Sequence, residues 1–412
     1  VAEDDKPPVR FGPGTNEVFK VAAPPGASSP CVWGDRIFLS GFEDGKLLTQ
    51  CYSAKDGKRL WSREAAVEKL EAFHPTEGSP AASTPATDGQ RVYSYFGSGS
   101  LCAYTLDGKL AWERRFSPAE HVGDFGTGTS PVVHEGMVLV NRDMIRGSHF
   151  LAVKAEDGSD GWRKERPEFS SSWSTPVIWK RDGAAEVVLA AAQRIKGYDL
   201  KTGEERWQFQ GLPNAVCPLP VLDGEMLYFA GWSPTSQDAQ MPRFATLREQ
   251  QDKNKDKAIN KEEASGMLTV LLSLFDLDTD GRIVEDEWNT KLEEMNKAVN
   301  QAVAIRPGKG NLGEENVAWT YKRGLPYVPS SLVYRGKFYM VRDGGMVTCL
   351  DAKSGKAGYE QERLGALGTY YASPVAGDGR IYFGSNDGKI TVVAEGEKAE
   401  GLGGVEFGEE CG

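Results

Sequence analysis

The sequence predicts an all-β protein: a β-propeller of four-stranded antiparallel blades with one small α-helical insert. Two repeated patterns and one exception support this prediction. A segment with a Ser/Thr-Pro pair, an apolar strand, a Gly turn and a second apolar strand recurs, with some variation, seven times along the 412 residues. A turn dipeptide ending in Gly, usually with a Trp four residues later, follows most copies. The exception is a stretch of helical composition that holds two acidic loops.

The first pattern marks the start of each predicted blade. In chain order it reads "SSPCVWGDRIFLSG", "STPATDGQRVYSYFG", "TSPVVHEGMVLVN", "STPVIWKRDGAAEVVLAA", "PLPVLDGEMLYFAG", "PSSLVYRGKFYMV" and "ASPVAGDGRIYFG". Short apolar runs separated by Gly-containing turns are typical of antiparallel hairpins. The copies are about 45 residues apart, except between the fifth and sixth, where roughly 70 further residues are inserted. An insertion of this kind is tolerated at an exposed loop tip.

The second pattern supplies the third and fourth strands of a blade. It ends at Trp61, Trp112, Trp162 and Trp207, and a weaker copy ends at Tyr359. Asp-Gly and related dipeptides adopt positive φ easily and form tight hairpin turns. We expect each Trp ring to lie on the fourth strand and to be buried against the next blade. Single blades cannot bury both faces, so they stack into a ring. A β-sandwich, the alternative, would not keep one Trp register over four copies.

The two ends of the sequence suggest that the seven readable blades are part of an eight-bladed ring. Residues 16–22, "NEVFKVA", resemble an outermost strand without inner strands before it. We expect this strand to belong to a closing blade, because pairing strands near the termini removes open sheet edges. The predicted organisation is a first propeller part at 16–235, a calcium-binding insert at 236–300 and a second propeller part at 301–412.

Composition and charge argue against several classes of function. The net charge of -11 disfavours nucleic acid as a partner, since its backbone requires clustered Lys and Arg. No apolar run is long enough for a transmembrane segment. The six cysteines lie far apart without Cys/His clusters, which argues against a zinc site. Cys51 and Cys349 hold a repeat position that is Ala or Gly in other copies, which predicts small buried packing positions.

The second acidic loop of the insert, "DLDTDGRIVEDE" at residues 276–287, matches the EF-hand pattern fully. Its expected calcium ligands are the carboxylates of Asp276, Asp278, Asp280 and Glu287 and the backbone carbonyl of Arg282. Gly281 fits the sixth position, where the loop makes a sharp left-handed turn. Val284 at the ninth position leaves that ligand to a water molecule.

The first loop, "DKNKDKAINKEE" at residues 252–263, matches the same pattern less well. Its expected ligands are the side chains of Asp252, Asn254, Asp256 and Glu263 and the backbone carbonyl of Ala258. Lys257 stands at the sixth position instead of Gly, and a left-handed conformation there costs on the order of 1 kcal/mol. The segment between the loops is short. It could form one continuous helix that separates the two sites, or a break at Gly266 could let them pair.

The turn-and-Trp signature resembles the repeat of pyrroloquinoline-quinone (PQQ) binding-like β-propeller proteins. That family includes outer-membrane assembly lipoproteins and quinoprotein dehydrogenases, and the resemblance covers most of the chain outside the insert. It implies the propeller fold and says little about function. Members of the family are typically periplasmic, lipid-anchored or secreted, so the resemblance implies a periplasmic or secreted location.

The enzyme branch of this family can be compared with the sequence residue by residue. Quinoprotein dehydrogenases cap the quinone with two adjacent, bonded cysteines, and no two cysteines are adjacent here. They also hold calcium and quinone with Glu, Asn and Asp in the axial channel, and no such trio can be assigned. The four His residues fall in separate repeats without metal-ligand spacing. We therefore expect calcium as the bound cofactor and do not expect PQQ binding.

One face of the predicted ring carries the loops that enter the innermost strands and the loops that follow the second strands. We expect a protein or small-ligand partner to bind there, and the insert should project from the same face. The aromatic candidates are Phe125, Trp173, Tyr327, Tyr370 and Tyr371, and the polar candidates are His74, Glu77, Arg142, Asp143, Arg342 and Asp343. Alternatively, the Arg-Asp pairs stabilise turns and the aromatic rings pack beneath their own loops.

Together these observations favour a non-catalytic binding or scaffolding propeller outside the cytoplasm that carries an EF-hand calcium module. Two alternatives stay open. One is a degenerate quinoprotein oxidoreductase, which as an enzyme would resemble a PQQ-dependent dehydrogenase. The other is a scaffold similar to an outer-membrane assembly factor.

Overall fold

Seven β-sheets, each built around four antiparallel strands, follow one another in the computed structural model, which describes residues 6–181, 183–236 and 241–408. The prediction of a propeller with four-stranded blades is confirmed. Cys411, with the rest of residues 409–412, and residues 237–240 of the expected insert lie outside the described residues. Within the described residues, no helix is long and apolar enough to span a membrane.

The first four blades occupy the chain up to Gln210. Blade 1 consists of β1 (Cys31–Trp33), β2 (Arg36–Glu43), β3 (Lys46–Ser53) and β4 (Arg59–Glu64). Blade 2 consists of β5 (Ala86–Thr87), β6 (Arg91–Phe96), β7 (Ser100–Thr105) and β8 (Leu110–Arg115). Blade 3 consists of β9 (Val132–His134), β10 (Met137–Arg142), β11 (His149–Lys154) and β12 (Asp160–Glu165). Blade 4 consists of β13 (Val177–Arg181), β14 (Ala184–Ala191), β15 (Arg194–Asp199) and β16 (Glu205–Gln210).

Blade 5 is the blade that the insert interrupts. It consists of β17 (Val221–Asp223), β18 (Met226–Gly231), β21 (Gln301–Ile305) and β23 (Val317–Tyr321). The short strand β22 (Gly310–Leu312) joins blade 4 in parallel with β16. Blade 6 consists of β24 (Leu332–Tyr334), β25 (Lys337–Arg342), β26 (Met346–Asp351) and β27 (Ala357–Arg363). Blade 7 consists of β28 (Val375–Gly377), β29 (Arg380–Gly384), β30 (Lys389–Ala394) and β31 (Gly401–Glu406).

The insert lies between β18 and β21 and has a small core of its own. It contains α1 (Phe244–Gln251), β19 (Ile259–Asn260), α2 (Met267–Phe275), β20 (Arg282–Ile283) and α3 (Glu285–Met295). The rings of Phe275 and Trp288 stack with centroids 4.2 Å apart in this core. Blade 5 keeps its ladder across the insertion, with Leu227 opposite Ile305. The helices therefore interrupt the chain but leave the blade intact.

Tryptophan residues on the fourth strands join consecutive blades. Their indole N–H groups donate to backbone carbonyls of the next blade, from Trp61 to Leu106 (3.0 Å), Trp112 to Ala155 (3.0 Å), Trp162 to Leu200 (2.9 Å) and Trp319 to Ala352 (2.8 Å). The rings rest on turn glycines. A β-carbon added at Gly158, for example, would lie 2.7 Å from the Trp112 ring. Trp61, Trp112 and Trp207 are buried as predicted, whereas Trp162 is half-buried.

Trp207 departs from this arrangement. Its indole N–H donates to Glu186 of its own blade (3.0 Å), and Trp179 forms the bond to the next blade, at the Gly224 carbonyl (3.1 Å). The cause lies in blade 5, where residues 306–316 replace the tight Gly turn that receives a Trp elsewhere. Trp207 instead packs in the core shared by blades 4 and 5.

At five blade junctions, a Ser or Thr residue at the entry of an innermost strand binds the preceding blade. Its hydroxyl oxygen accepts a hydrogen bond from the backbone N–H of the equivalent residue in the preceding blade. The bonds run from Ser29 to Thr84, Thr84 to Ser130, Ser130 to Thr175, Leu219 to Ser330 and Ser330 to Ser373, at 2.9–3.0 Å. The series breaks between blades 4 and 5, because Leu219 has no hydroxyl group to accept a bond. This explains the recurring hydroxyl residue in the first sequence pattern.

The expected strand at residues 16–22 is not formed, and that prediction was wrong. Instead, side chains of this segment pack on blade 1. A β-carbon added at Gly57 would lie 2.5 Å from the Phe19 ring and 2.7 Å from Val21, so these residues take the place that a preceding blade's Trp takes elsewhere. Before residues 16–22, the Pro7 carbonyl accepts hydrogen bonds from the side chains of Arg380 and Tyr382 in blade 7. The N-terminal segment thus contacts blades 7 and 1 through side chains and isolated bonds instead of a β-ladder.

Candidate metal centre and partner face

The second acidic loop brings carboxylates together in the way its sequence predicts. In the described part of the chain, Asp276, Asp278 and Glu287 are the one group of three His, Cys, Asp or Glu residues whose ligand atoms all lie within 4.8 Å of one another. Asp280, a fourth expected ligand, forms an ion pair with Arg282 (3.0 Å) at the loop edge. The backbone N–H of Arg282 also donates to Asp280 (2.9 Å).

Backbone N–H groups hold the Glu287 carboxylate over the loop. Its Oε1 atom accepts bonds from the N–H groups of Leu277 (2.8 Å) and Asp278 (3.2 Å), and its Oε2 atom accepts one from Val284 (3.0 Å). Asp276 Oδ2 accepts from the N–H of Gly281 (3.1 Å), whose φ is +87°. Asp276 Oδ1 is buried without a hydrogen-bond partner among the described residues. A buried carboxylate oxygen facing other carboxylates fits a cation ligand, and oxygen donors are what calcium prefers.

The first loop repeats this bonding pattern. Glu263 Oε1 accepts from the N–H groups of Lys253 (3.0 Å) and Asn254 (3.1 Å), and Asp252 Oδ2 accepts from Lys257 (3.0 Å). Asp252 Oδ1 is again buried and without a partner in the described chain. Lys257 adopts a φ of +70°, so it bears the strain expected at the sixth position. The remaining expected ligands are the side chains of Asn254 and Asp256, which hydrogen-bond to each other (3.1 Å), and the backbone carbonyl of Ala258.

The two loops lie side by side. Ile259 pairs with Ile283 in the two-stranded β19–β20 sheet, so the eighth residues of the two acidic loops lie opposite each other. Gly266, with a φ of +60°, breaks the chain just before α2. Of the two arrangements that the sequence left open, the structure has the paired one, with the helix between the loops beginning only after the break at Gly266.

The insert packs on the loop-bearing face of the propeller. Its helix α2 contacts the short 3-10 helix Val122–Asp124 between blades 2 and 3, where a β-carbon added at Gly123 would lie 2.7 Å from Val270. The end of α3 contacts blade 4 and the loop after it. There, Gln193 donates to the Glu294 carbonyl (2.8 Å) and Asn214 donates to the Met295 carbonyl (3.0 Å). The acidic loops are thus connected to three parts of this face.

Several residues expected to contact a partner are buried instead. Asp143 and Arg166 form an ion pair (2.7 Å) with side chains 0% and 1% exposed, and Arg142 donates to the Tyr95 hydroxyl (2.8 Å). Tyr370 is 1% exposed, and its backbone N–H donates to Asp343 (2.8 Å). The prediction of partner contacts was therefore wrong for Arg142, Asp143 and Tyr370. A buried charge must be paired within the protein, so Arg142 and Asp143 are held by partners of their own and do not face a ligand.

Six other side chains, one or two from each of five blade junctions, converge on the same face. They are His74, Glu77, Phe125, Trp173, Tyr327 and Tyr371, and we call them the axial cluster. The His74 and Phe125 rings stack at 5.7 Å, and Phe125 meets Trp173 edge-on at 6.3 Å. The Tyr371 hydroxyl donates to Glu77 across the ring. All six were candidates from the sequence. Arg342, by contrast, donates to Gln361 of its own blade (3.1 Å).

Two residues near this face were missed in the sequence. Trp232 follows β18 and meets the Tyr327 ring edge-on at 5.8 Å, and its place just after a second strand was the available signal. Glu71 is 3% exposed and accepts a bond from the Thr127 hydroxyl (2.7 Å), which also contacts His121 (3.2 Å). Burial raises the pKa of Glu71 to about 7 and lowers the pKa of His121 to about 4. No sequence motif marked this buried pair.

The comparisons with known proteins agree with this architecture. Residues 45–213 match the sequence profile of the outer membrane protein assembly factor BamB, which is less than half of the chain. No curated protein sequence matches the chain. Among solved structures, BamB from Moraxella catarrhalis is similar, with a TM-score of 0.56 at 11% identity over 93% of this chain and 89% of that one.

Two dehydrogenases are also similar in structure. A europium-containing methanol dehydrogenase has a TM-score of 0.58 at 11% identity, over 94% of this chain and 79% of that one. The quinohemoprotein alcohol dehydrogenase ADHIIG from Pseudomonas putida HK5 has a TM-score of 0.52 at 14% identity, over 94% and 67%. Likeness at such identities shows the fold. The β-propeller fold is thus shared by an assembly factor and by two dehydrogenases, and the fold does not by itself decide between their functions.

Proposed function

We propose that this PQQ-repeat β-propeller is a non-catalytic binding or scaffolding protein outside the cytoplasm, and that its insert is an EF-hand pair that binds calcium. The observation that carries the proposal is the pair of acidic loops, held side by side by Ile259 and Ile283 and packed on the loop-bearing face. We propose propeller parts at 16–235 and 301–412 and the calcium module at 236–300.

Calcium would be held in the second loop by Asp276, Asp278, Glu287 and the carbonyl of Arg282, with Asp280 joining once its ion pair with Arg282 opens. Extracellular EF-hand-like modules bind calcium at about 10⁻⁴–10⁻³ M, which is sufficient where calcium is abundant. Binding to the folded state alone also stabilises that state. Calcium in this protein is therefore proposed as a structural element that stiffens the insert on the partner face.

A binding role is favoured over quinone catalysis by the chemistry of the loop face. The cysteines of the described residues are all free thiols, so none of them supplies a disulfide cap for a quinone. Arg142 and Arg166 are buried on partners of their own, so neither guanidinium group is available to bind a ligand carboxylate. The likeness to BamB supports a scaffold role, and the typical location of PQQ-repeat propellers supports a periplasmic or secreted one.

Calcium titration calorimetry tests the proposal, with Glu287→Gln as the loss variant and Glu293→Gln, an exposed residue of α3, as the matched control. We expect saturable calcium binding in the wild type and the control, and loss of the tighter event in Glu287→Gln. In parallel, the protein is incubated with PQQ and calcium and assayed with alcohols and sugars. Absence of calcium binding would refute the module, and stoichiometric quinone absorbance with turnover would refute the non-catalytic role.

A further inference from the structure

The axial cluster combines aromatic ring faces with a carboxylate that no cation neutralises. In the described chain, the partner of the Glu77 carboxylate is the Tyr371 hydroxyl, and no Lys or Arg forms an ion pair with it. Glu77 is exposed, whereas Glu71 beneath the same loop is buried and its pKa is raised by that burial. Glu77 is thus the exposed carboxylate of the axial cluster, where a ligand can reach it.

Local hydrogen bonds hold Glu77 in this position. His74 Nδ1 accepts a bond from the backbone N–H of Glu77 (3.2 Å), and the N–H of Gly78 donates to the His74 carbonyl (3.0 Å). A β-carbon added at Gly78 would lie 2.5 Å from the Phe125 carbonyl, so the turn is pressed against the next junction loop. The carboxylate is therefore presented from a supported turn, which lowers the entropy cost of binding.

The surrounding rings are only partly covered. Tyr327 is 37% exposed, and Trp232, which packs edge-on against it, is 41% exposed. On the other side of Glu77, Phe125 and Trp173 meet at an angle of 82° and are half-buried. The His74 ring stacks on Phe125 and the His121 ring lies 6.0 Å from Trp173, so the more open rings of this face are those of Tyr327 and Trp232. Partly exposed aromatic rings that converge from separate loops are a feature of recognition sites.

The chemistry of this arrangement selects a cation. The face of an aromatic ring is electronegative and attracts ammonium and guanidinium groups, most strongly where a carboxylate is nearby. An anion would be repelled by Glu77, and the net charge of -11 adds to this repulsion. A neutral apolar ligand would cover Glu77 and leave its charge without a partner, which is costly.

We infer that the axial cluster binds the cationic side chain of a partner protein, a lysine ammonium or an arginine guanidinium inserted between the aromatic rings and paired with Glu77. This inference rests on the proposed function, because it names the group that the loop-bearing face recognises. The partner's side chain enters next to the insert, whose helix α2 contacts the junction loop that carries Phe125. A single inserted cation at the centre of the face provides an anchor for a larger, flatter contact.

The test uses the full chain with calcium and follows the indole ¹H–¹⁵N signals of the tryptophans. The probe is Nα-acetyl-lysine methylamide, and the matched control probe is Nα-acetyl-norleucine methylamide, which has a similar aliphatic chain but no charge. We expect the Trp173 and Trp232 signals to shift with the lysine probe alone and the response to weaken with salt. Equal shifts with both probes would overturn the inference, because the site would then be apolar.

Three variants locate the response. Glu77→Gln and Tyr327→Leu, both at exposed positions, should each weaken lysine binding by about three- to tenfold. Glu64→Gln, an exposed carboxylate that pairs with Lys46 on blade 1, should leave it unchanged. An unaltered response in both Glu77→Gln and Tyr327→Leu would refute the assignment. If tetramethylammonium binds and the lysine probe does not, the site recognises a small cationic molecule instead of a protein side chain. That result would overturn the inference.

Calcium calorimetry of the same samples separates this inference from the proposed function. A protein that binds calcium normally but gives no lysine response would refute the cation site and leave the calcium module standing. A protein that binds neither would refute both. Calcium binding retained in Glu77→Gln, together with the loss of lysine binding, is the result that supports the inference.

Discussion

Replacement of Trp112 tests how strongly the fourth-strand tryptophans hold consecutive blades together. Trp112 is 8% exposed, packs 5.9 Å from the Tyr93 ring and lies on Gly158 of blade 3. Its indole N–H donates to the Ala155 carbonyl (3.0 Å). Trp112→Ala therefore removes both the apolar contact and the polar contact between blades 2 and 3.

The expected loss for Trp112→Ala is about 3–5 kcal/mol in the free energy of unfolding, the usual cost of removing a large buried ring. Trp112→Phe separates the two contributions, because it keeps much of the ring and removes the N–H donor. The Ala155 carbonyl still accepts a bond from the Tyr93 hydroxyl (3.3 Å), so it does not become unpaired. We therefore expect the Phe variant to lose about 1 kcal/mol from the hydrogen bond, plus a part of the packing contribution.

Urea unfolding followed by circular dichroism measures these differences as shifts of the midpoint at a constant slope. Trp33→Ala is the control, because the Trp33 ring is 49% exposed and contributes less buried area. The reasoning is refuted if Trp112→Ala is as stable as Trp33→Ala. It is also refuted if Trp112→Phe is as unstable as Trp112→Ala, since the ring would then contribute nothing to the contact.

Two further predictions concern calcium and pH. Calorimetry should show that Glu287→Gln removes the tighter calcium-binding event and that Glu263→Gln removes the weaker one. The reason is that the second loop has four carboxylates and Gly281, whereas the first has three carboxylates and Lys257. The reverse order would contradict this ranking of the two loops. Burial raises the pKa of Glu71 to about 7, so the folded state retains a proton there that the unfolded chain releases near pH 4.5. The contribution of Glu71 to the free energy of unfolding is complete below about pH 4.5 and is lost as the pH rises through about 7. Glu71→Gln should therefore gain about 2–3 kcal/mol relative to the wild type between pH 5 and pH 8, and parallel pH profiles from urea unfolding would contradict the assignment.

The blades and the second acidic loop were predictable because each depends on a short-range sequence pattern. Gly turns, alternating apolar residues and a Trp at a constant distance from the turn are local features. They identified the starts of all seven blades and, where the Trp or Tyr signature is present, the fourth strand. The EF-hand spacing likewise predicted that Asp276, Asp278 and Glu287 would meet, because twelve consecutive residues form that loop.

Errors arose where a neighbouring blade decides the outcome. Residues 16–22 have the composition of a strand, but they pack through Phe19 and Val21 on Gly57 instead of joining a sheet. Trp207 has the same local signature as Trp112, yet its hydrogen bond goes to its own blade because blade 5 lacks a tight turn at that place. Neither outcome can be read from the residues around the position itself.

The sequence by itself determined the repeating blade, the place of the insert and the meeting of Asp276, Asp278 and Glu287 in the second acidic loop, because each of these depends on residues close together in the chain. The tertiary structure alone decided which side chains of separate loops meet. Glu77 and Tyr371 contact each other only because the ring brings distant blade junctions to one axis. Burial was decided in the same way: the ring closes over Arg142 and Asp143 and leaves Glu77 exposed, although all three lie in loops of similar polarity.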